Sequence, residues 1–125
     1  MARDYPRSYR VADQIQRELS ELLRTELKDP RVSQFLTISS VEVNRDLSVA
    51  KVYYTVIREE DRADTEEALG EDTGYIRKLL SKRMSMRSVP QLRFYYDTSL
   101  EEGSRMSRLI DEAVRSNSTP EDGDD

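Results

Sequence analysis

Apolar residues near the N-terminus recur at spacings of three and four, with charged residues between them. A repeat of this kind predicts an amphipathic helix that buries one face. Proline cannot continue a helical hydrogen-bond ladder, so we expect this helix to end at residues 28–30, which finish in Pro30. The apolar positions of the stripe are Val11, Ile15, Leu19, Leu22, Leu23 and Leu27.

Alternating apolar positions follow and predict a β-hairpin. The parity of these positions changes between Ile38 and Val41, so we expect a β-bulge near Ser39 and Ser40. A turn at residues 44–46 leads into a second run that is rich in β-branched and aromatic residues.

Two helices are expected after the hairpin. Thr65 precedes two glutamates, which predicts the capped start of a short helix. Gly70 and Gly74 predict an interruption, and a second apolar stripe begins just after Gly74. That stripe contains Tyr75, Ile76, Leu79, Leu80 and Met84.

The last part of the chain predicts a strand, a helix and a tail. After Val89 and Pro90, apolar residues alternate through Tyr96, and residues 99–102 have the spacing of a capping box. From Ser116 onward, small, polar and acidic residues predict a disordered tail over 116–125. The order α-β-β-α-α-β-α predicts a single α+β domain over residues 1–115, with helices on one side of a three-stranded sheet.

Charge is distributed very unevenly along the chain. Residues 73–96 contain six Lys or Arg and no acid, although the whole chain has a formal net charge of −5. The acids are concentrated in residues 59–72, with eight against one arginine, and in residues 121–125, with four. A basic segment in an acidic protein indicates a local binding surface for a polyanion such as nucleic acid.

Composition argues against several kinds of function. The chain has neither cysteine nor histidine, which removes disulfides, thiolate nucleophiles and the commonest metal ligand and general base. The carboxylates of residues 59–72 have no spacing typical of a metal site, so we expect a solvated charge run and no cofactor. The start lacks an apolar signal region and no stretch is long enough to span a bilayer, which predicts a cytoplasmic protein.

The basic segment has the geometry of a nucleic-acid contact. On a helical wheel Arg77, Lys78 and Lys82 lie opposite the apolar stripe, and Ser81 and Gly74 leave room for a phosphate backbone. Arg83 falls inside the apolar arc, so it extends toward solvent or marks a local distortion.

Other interpretations of these residues remain open. The basic helix can be an ordinary solvated face, but such a face usually mixes charges of both signs. Tyrosines 53, 54, 75, 95 and 96 can stack on bases, although their strand alternation favours positions in the core or at its rim. A second class of function is a protein-interaction module whose basic helix docks an acidic protein.

Several ordered segments together resemble the ribosome-binding factor A family. They are residues 28–31, 41–47, 50–53, 74–77 and 89–97, and the similarity runs from about Arg7 to Val114. The resemblance implies a KH-like domain of type II topology that acts without catalysis. Its implied partners are the free small (30S) ribosomal subunit of bacteria and 16S rRNA. The implied role is late subunit maturation and rRNA processing, with cold adaptation, by a monomer that uses no small-molecule substrate or membrane.

The resemblance also concerns the site. The family is similar to KH domains but has an A-x-G kink between two helices in place of the G-x-x-G loop, and here the triplet is Asp72, Thr73 and Gly74. Asp72 is expected to cap the following helix rather than contact RNA. The RNA-binding residues are expected to be Arg77, Lys78, Lys82, Arg83 and Arg87, extended by Arg45, Arg31, Arg10 and Arg7. The alternative is a KH-like module that binds RNA outside the ribosome.

Overall fold

A three-stranded mixed sheet lies at the centre of the fold. The computed structural model describes the backbone of residues 6–123 and the side chains of residues 6–115. In chain order the elements are α1 (Arg7–Thr25), β1 (Leu36–Val43), β2 (Val49–Val56), a 3₁₀ turn (Glu59–Asp61), α2 (Arg62–Arg83), β3 (Gln91–Tyr96) and α3 (Ser99–Gly123).

The strands lie in the order β1-β2-β3, with β1 antiparallel and β3 parallel to β2. Ile38 pairs with Tyr54 and Ser40 pairs with Tyr53, so Ser39 is the extra residue of a bulge. The predicted β-bulge is therefore confirmed. A parallel pair needs a crossover connection, which α2 provides between β2 and β3.

The helices α1 and α2 cover one face of the sheet. The stripe predicted for α1 is confirmed, because Ile15, Leu19 and Leu22 are fully buried. The other fully buried apolar side chains include Val52 and Tyr54 of β2 and Leu69, Ile76 and Leu80 of α2. The predicted α+β class, with helices packed on one side of a three-stranded sheet, is confirmed.

Two helical segments lie between β2 and β3, as predicted. The boundary between them, however, lies earlier in the chain than the predicted boundary at Gly70 and Gly74. The first is the 3₁₀ turn, and α2 is continuous from Arg62 to Arg83. The interruption predicted at Gly70 and Gly74 is wrong, since both glycines lie inside α2 and neither has a positive φ. An interior glycine costs a helix about 1 kcal/mol but does not break it.

Thr65 does not begin a helix, contrary to the prediction. It is buried inside α2, where its hydroxyl accepts a hydrogen bond from the backbone N–H of Ser33 (3.1 Å). The same hydroxyl donates to the carbonyl of Arg31 (3.4 Å). These bonds attach the segment between α1 and β1 to the start of α2.

The last helix extends away from the core. Thr98 precedes it, and its hydroxyl donates to Glu102 Oε2 (2.9 Å) while its carbonyl accepts from the Glu102 N–H (2.8 Å). The apolar residues Met106, Leu109 and Ile110 are more than half exposed. α3 runs to Gly123, beyond the predicted helix end, while the side chains of the predicted tail, residues 116–125, lie outside the described residues.

Candidate nucleic-acid interface

The second half of α2 separates apolar and cationic side chains as predicted. Ile76 and Leu80 are buried against the sheet, whereas Arg77, Lys78 and Lys82 are exposed. This helix therefore presents cations to solvent from an element whose other face is fixed in the core. Tyr75 is the exception to the predicted stripe, since its side chain is 54% exposed.

Arg77 also holds the loop that follows α2. Its Nε donates to the carbonyl oxygens of Val89 and Pro90, both at 3.2 Å, and its Nη2 donates to Val89 O at 2.5 Å. Carbonyl oxygens carry no net charge, so the guanidinium remains positive while it fixes the loop. The loop includes Arg87, which is exposed.

Cations from three segments line two adjoining grooves. Gly74, Arg77, Lys78, Ser81 and Arg87 line the first groove together with Ser88 and Val89. The second groove shares Arg77 and Arg87 with the first and adds Arg7 from the start of α1. We call Arg7, Arg77, Lys78 and Arg87 the basic groove.

The basic groove keeps its positive charge. Among residues 6–115 no carboxylate lies within 4.0 Å of the charged nitrogens of Arg7, Arg77, Lys78 or Arg87. One acid, Asp46, lies in the lining of the second groove. Hydrogen bonds from the hydroxyl and the N–H of Ser48 lower the pKa of Asp46, so this carboxylate is ionised at neutral pH. The groove thus contains one carboxylate and four cations.

Arg83, expected to contact RNA, is instead an ion-pair partner of α1. Its Nη1 lies 3.1 Å from Glu18 Oε1 and 3.3 Å from Glu21 Oε1, and its Nε lies 3.1 Å from Glu26 Oε2. Glu26 also accepts from Nη2. These hydrogen bonds, that of Glu26 first, raise the pKa of Arg83. Its charge is compensated, and the structure does not place it in the basic groove.

Arg31 is also engaged by acids. Its guanidinium forms a two-point pair with Asp29, with Nε 3.1 Å from Oδ1 and Nη2 2.8 Å from Oδ2, and Nη2 lies 2.9 Å from Glu71 Oε1. The pairing with Asp29 and then Glu71 raises the pKa of Arg31, and Arg31 lowers the pKa of Asp29. Arg31 therefore connects the segment after α1 to α2, away from the groove.

The remaining expected cations surround the basic groove without lining it. Lys82 is exposed one turn beyond Lys78, and Arg10 is exposed one turn beyond Arg7. Arg45 is exposed in the hairpin turn beside Asp46. Arg93, which could extend the surface only if β3 turned its exposed face toward α2, lies on the sheet face opposite to the helices.

The expected kink residues are part of a regular helix. The Thr73 hydroxyl donates to the carbonyl of Leu69 (2.6 Å), four residues earlier. Gly74 lines the first groove, and a Cβ added there would meet no atom within 4 Å. The expectation that Asp72 caps a helix is wrong, because Asp72 lies inside α2.

Asp72 instead faces the Asp29 carboxyl. One of its oxygens, Oδ2, is buried and has no hydrogen-bond partner. Protonated Asp72 can donate a hydrogen bond to Asp29, and this interaction, followed by partial burial, raises the pKa of Asp72. The carboxyl lies on the Arg31 side of α2 and does not line the groove.

The described residues also bear on the class of site. Within the part of the chain that the structure describes, no helix is long and apolar enough to cross a membrane. In that same part no three acidic side chains are grouped so as to hold a metal ion.

Comparison with known proteins identifies the family of the chain. A family model described as ribosome-binding factor A matches residues 7–110. Ribosome-binding factor A of Alkalilimnicola ehrlichii is 51% identical over 126 residues, which cover 99% of this chain and 96% of that protein. Its counterpart in Thioalkalivibrio sulfidiphilus is 51% identical over 126 residues, covering 100% and 97%.

Solved structures show the same relationship. The crystal structure of ribosome-binding factor A from Thermus thermophilus is 31% identical, with a TM-score of 0.62, over 71% of this chain and 93% of that chain. A homology model of the protein from the same species, fitted into a cryo-EM map of a complex with the 30S subunit, is 33% identical, with a TM-score of 0.58, over 70% and 91%. From the family match and from relatives of this identity over their full lengths, the chain belongs to the ribosome-binding factor A family.

Proposed function

We propose that this protein binds the free 30S ribosomal subunit by placing the basic groove on the phosphate backbone of 16S rRNA. The observation that carries the proposal is the convergence of four uncompensated cations, Arg7, Arg77, Lys78 and Arg87, from three segments of the chain. Phosphate contacts provide affinity and fix orientation, while the folded shape of the RNA provides selectivity.

The small subunit is the preferred partner because of the comparisons. One structural relative was fitted into a map of its complex with the 30S subunit. An acidic protein is a poorer match to the groove, because three guanidinium groups in one groove suit the closely spaced phosphates of RNA.

The role that we propose is assistance of late 30S maturation and 16S rRNA processing without catalysis. The chain contains no histidine or cysteine, and the grooves are lined by cations, by small or apolar residues and by one aspartate that Ser48 holds through hydrogen bonds. Binding energy from such a surface can stabilise one rRNA conformation over another. We also propose that the protein is a cytoplasmic monomer and that it supports growth in the cold.

The test removes two groove cations from different segments. In a Lys78→Glu/Arg87→Glu protein, repulsion from phosphates should abolish co-sedimentation with purified free 30S subunits. The matched control is Arg105→Glu/Arg108→Glu, which reverses two exposed cations of α3 far from the groove in sequence. Cells that carry only the groove variant should accumulate free subunits with unprocessed 16S rRNA, and cells with the control should not.

Three outcomes would contradict the proposal. Undiminished sedimentation of the groove variant would reject the site. Recovery of the unmodified protein with other cellular RNA, and not with free subunits, would favour a KH-like module that acts outside the ribosome. Association that survives complete nuclease digestion would indicate an acidic protein as the partner of the basic helix.

A further inference from the structure

The sheet face opposite to the helices is open and carries an unusual pair of aromatic rings. On β2 and β3 the core-facing residues alternate with exposed or half-buried ones, and Tyr53, which is half-buried, and Tyr95, which is exposed, both belong to the outer set. They are direct partners across the parallel strands, with ring centroids 5.7 Å apart and planes inclined by 31°. The Tyr95 side chain is 42% exposed.

A second tyrosine pair shows what a core arrangement looks like in this sheet. Tyr54 and Tyr96 are the next partners along β2 and β3, and they lie on the helix-covered face. Their rings meet edge to face at 86° and Arg62 lies over the Tyr96 ring at 3.8 Å. The outer pair is closer to parallel, and its Tyr95 side chain is 42% exposed, whereas Arg62 covers the Tyr96 ring of the inner pair.

Cations lie beside the outer rings. Lys51 and Arg93 are partners in the register, two residues before Tyr53 and Tyr95 on their strands, and both are exposed on the same face. Glu42 pairs with Lys51 in the β1 register. No described carboxylate lies within ion-pair distance of Lys51 or Arg93, so their charges remain available.

The β1 side of this face carries short polar side chains. Ser40 is the β1 partner of Tyr53, and Thr37 is the partner of Thr55. Small hydroxyl side chains beside Tyr53 give a flat strand edge next to the rings. The positive charges of Lys51 and Arg93 beside the rings favour a polyanion as the partner of this face.

The geometry points to a second RNA contact: a single-stranded segment whose bases stack on Tyr53 and Tyr95 and whose phosphates meet Lys51 and Arg93. Aromatic rings beside cations on an open sheet are suited to unpaired bases, because every base has a stacking face and duplex RNA hides it. This inference rests on the proposed function, since it places an unpaired rRNA segment on the surface opposite to the basic groove.

The test uses the full chain and a labelled single-stranded oligouridylate RNA, with the same strand annealed to oligoadenylate as the duplex probe. Stacking contributes about 1–3 kcal/mol per base, so Tyr95→Leu should weaken binding of the single strand about tenfold or more. Tyr95→Phe keeps the ring and should bind as the unmodified protein does. The matched control Tyr75→Leu removes an exposed ring from α2 and should have no effect.

Tyrosine emission gives an independent measure, because the chain has seven tyrosines and no tryptophan. The single strand should quench this emission in the unmodified protein and less so in Tyr95→Leu. Thermal unfolding of each variant confirms that it is folded. Weaker binding of Tyr95→Leu with rescue by Tyr95→Phe supports the contact.

Three results would overturn it: no binding of the single strand by the unmodified protein, equal binding by Tyr95→Leu, or equal preference for the duplex. A loss of 30S association in Tyr95→Leu with unchanged oligouridylate binding would also overturn it, because the face would then contact a ribosomal protein. Sedimentation of the unmodified protein with free 30S subunits is measured alongside. If the unmodified protein sediments with free 30S subunits, the proposed function stands even when the oligouridylate experiment rejects the tyrosine contact.

Discussion

Arg77 and Val89 are joined by a hydrogen-bonded contact in which both Nε and Nη2 of the arginine donate to one carbonyl oxygen, at 3.2 and 2.5 Å. The contact fixes the loop after α2 against the helix that supplies Lys78. Because the same loop carries Arg87, the spacing of these cations depends on Arg77.

Replacement of Arg77 by lysine separates its charge from its geometry. Lysine keeps the positive charge but cannot reproduce the planar set of donors, so the free energy of unfolding should fall by about 1 kcal/mol. Affinity for free 30S subunits should fall as well, although the formal charge is unchanged. Urea unfolding and sedimentation measure the two effects, with Arg17→Lys on α1 as the control. Unchanged stability and affinity would show that the contact does not position the groove.

Substitution of Arg83 should affect stability and not binding. Arg83→Gln removes the partner of three carboxylates, Glu18 and Glu21 of α1 and Glu26 just after it, which then repel one another. Urea unfolding should show a less stable protein, whereas co-sedimentation with free 30S subunits at a temperature where it is folded should be unchanged. Arg24→Gln removes an exposed cation of α1 and should change neither. If the Arg83→Gln protein is folded but does not bind 30S subunits, Arg83 belongs to the interface and this account of its role is wrong.

The two helical glycines allow a matched comparison. A Cβ at Gly70 or at Gly74 would meet no atom within 4 Å, so alanine at either site should stabilise the helix by up to about 1 kcal/mol. Only Gly74 lines the basic groove. Gly74→Ala should therefore weaken 30S association, and Gly70→Ala should leave it intact, as measured by titration with purified subunits. Equal binding by both variants would show that RNA does not approach α2 closely at Gly74.

Asp72 predicts a change of stability with pH. Its folded pKa is raised, by hydrogen bonding to Asp29 and then by burial, so the folded protein binds this proton more tightly than the unfolded chain does. Ionised Asp72 therefore lowers stability at neutral pH; this penalty begins to lessen as pH falls through the raised folded pKa and is gone below the pKa of Asp72 in the unfolded chain. Asp72→Asn, which resembles the protonated acid, should be more stable at pH 7 and lose that advantage on acidification.

Urea unfolding at a series of pH values tests this prediction. Glu66→Gln removes an exposed acid from the same helix and should show no such pH-dependent advantage. An Asp72→Asn protein that is less stable at pH 7 would mean that the ionised carboxylate is stabilised in the fold.

Local sequence patterns predicted much of this fold. The α1 stripe, the bulge at Ser39 and the alternation of β3 all follow from short-range periodicity, and each is found in the structure. The continuity of α2 was missed because glycine lowers helix propensity locally, whereas burial of Leu69 and Ile76 on either side stabilises one helix through Gly70 and Gly74. Tertiary packing outweighed propensity there.

The site was predicted only in part, for a similar reason. Exposed cations at Arg77 and Lys78 follow from the helical wheel. The compensation of Arg83 depends on Glu18, which is 65 residues away in sequence, and no local pattern encodes that distance. The position of Arg83 inside the apolar arc was the available signal, since a cation on a packed face requires a partner. Likewise, the pairing of Tyr53 with Tyr95 appears only once the parallel register of β2 and β3 is known.

The salt dependence of binding to purified free 30S subunits tests the basic groove most directly. The logarithm of the binding constant falls as the logarithm of the salt concentration rises, and each lost phosphate contact reduces the magnitude of this slope by roughly 0.7–0.9. We predict that Lys78→Gln/Arg87→Gln lowers the magnitude of this slope by about 1.4 to 1.8, while Arg83→Gln leaves it unchanged. Equal slopes for the unmodified protein and the groove variant, or a smaller slope for Arg83→Gln alone, would contradict the account.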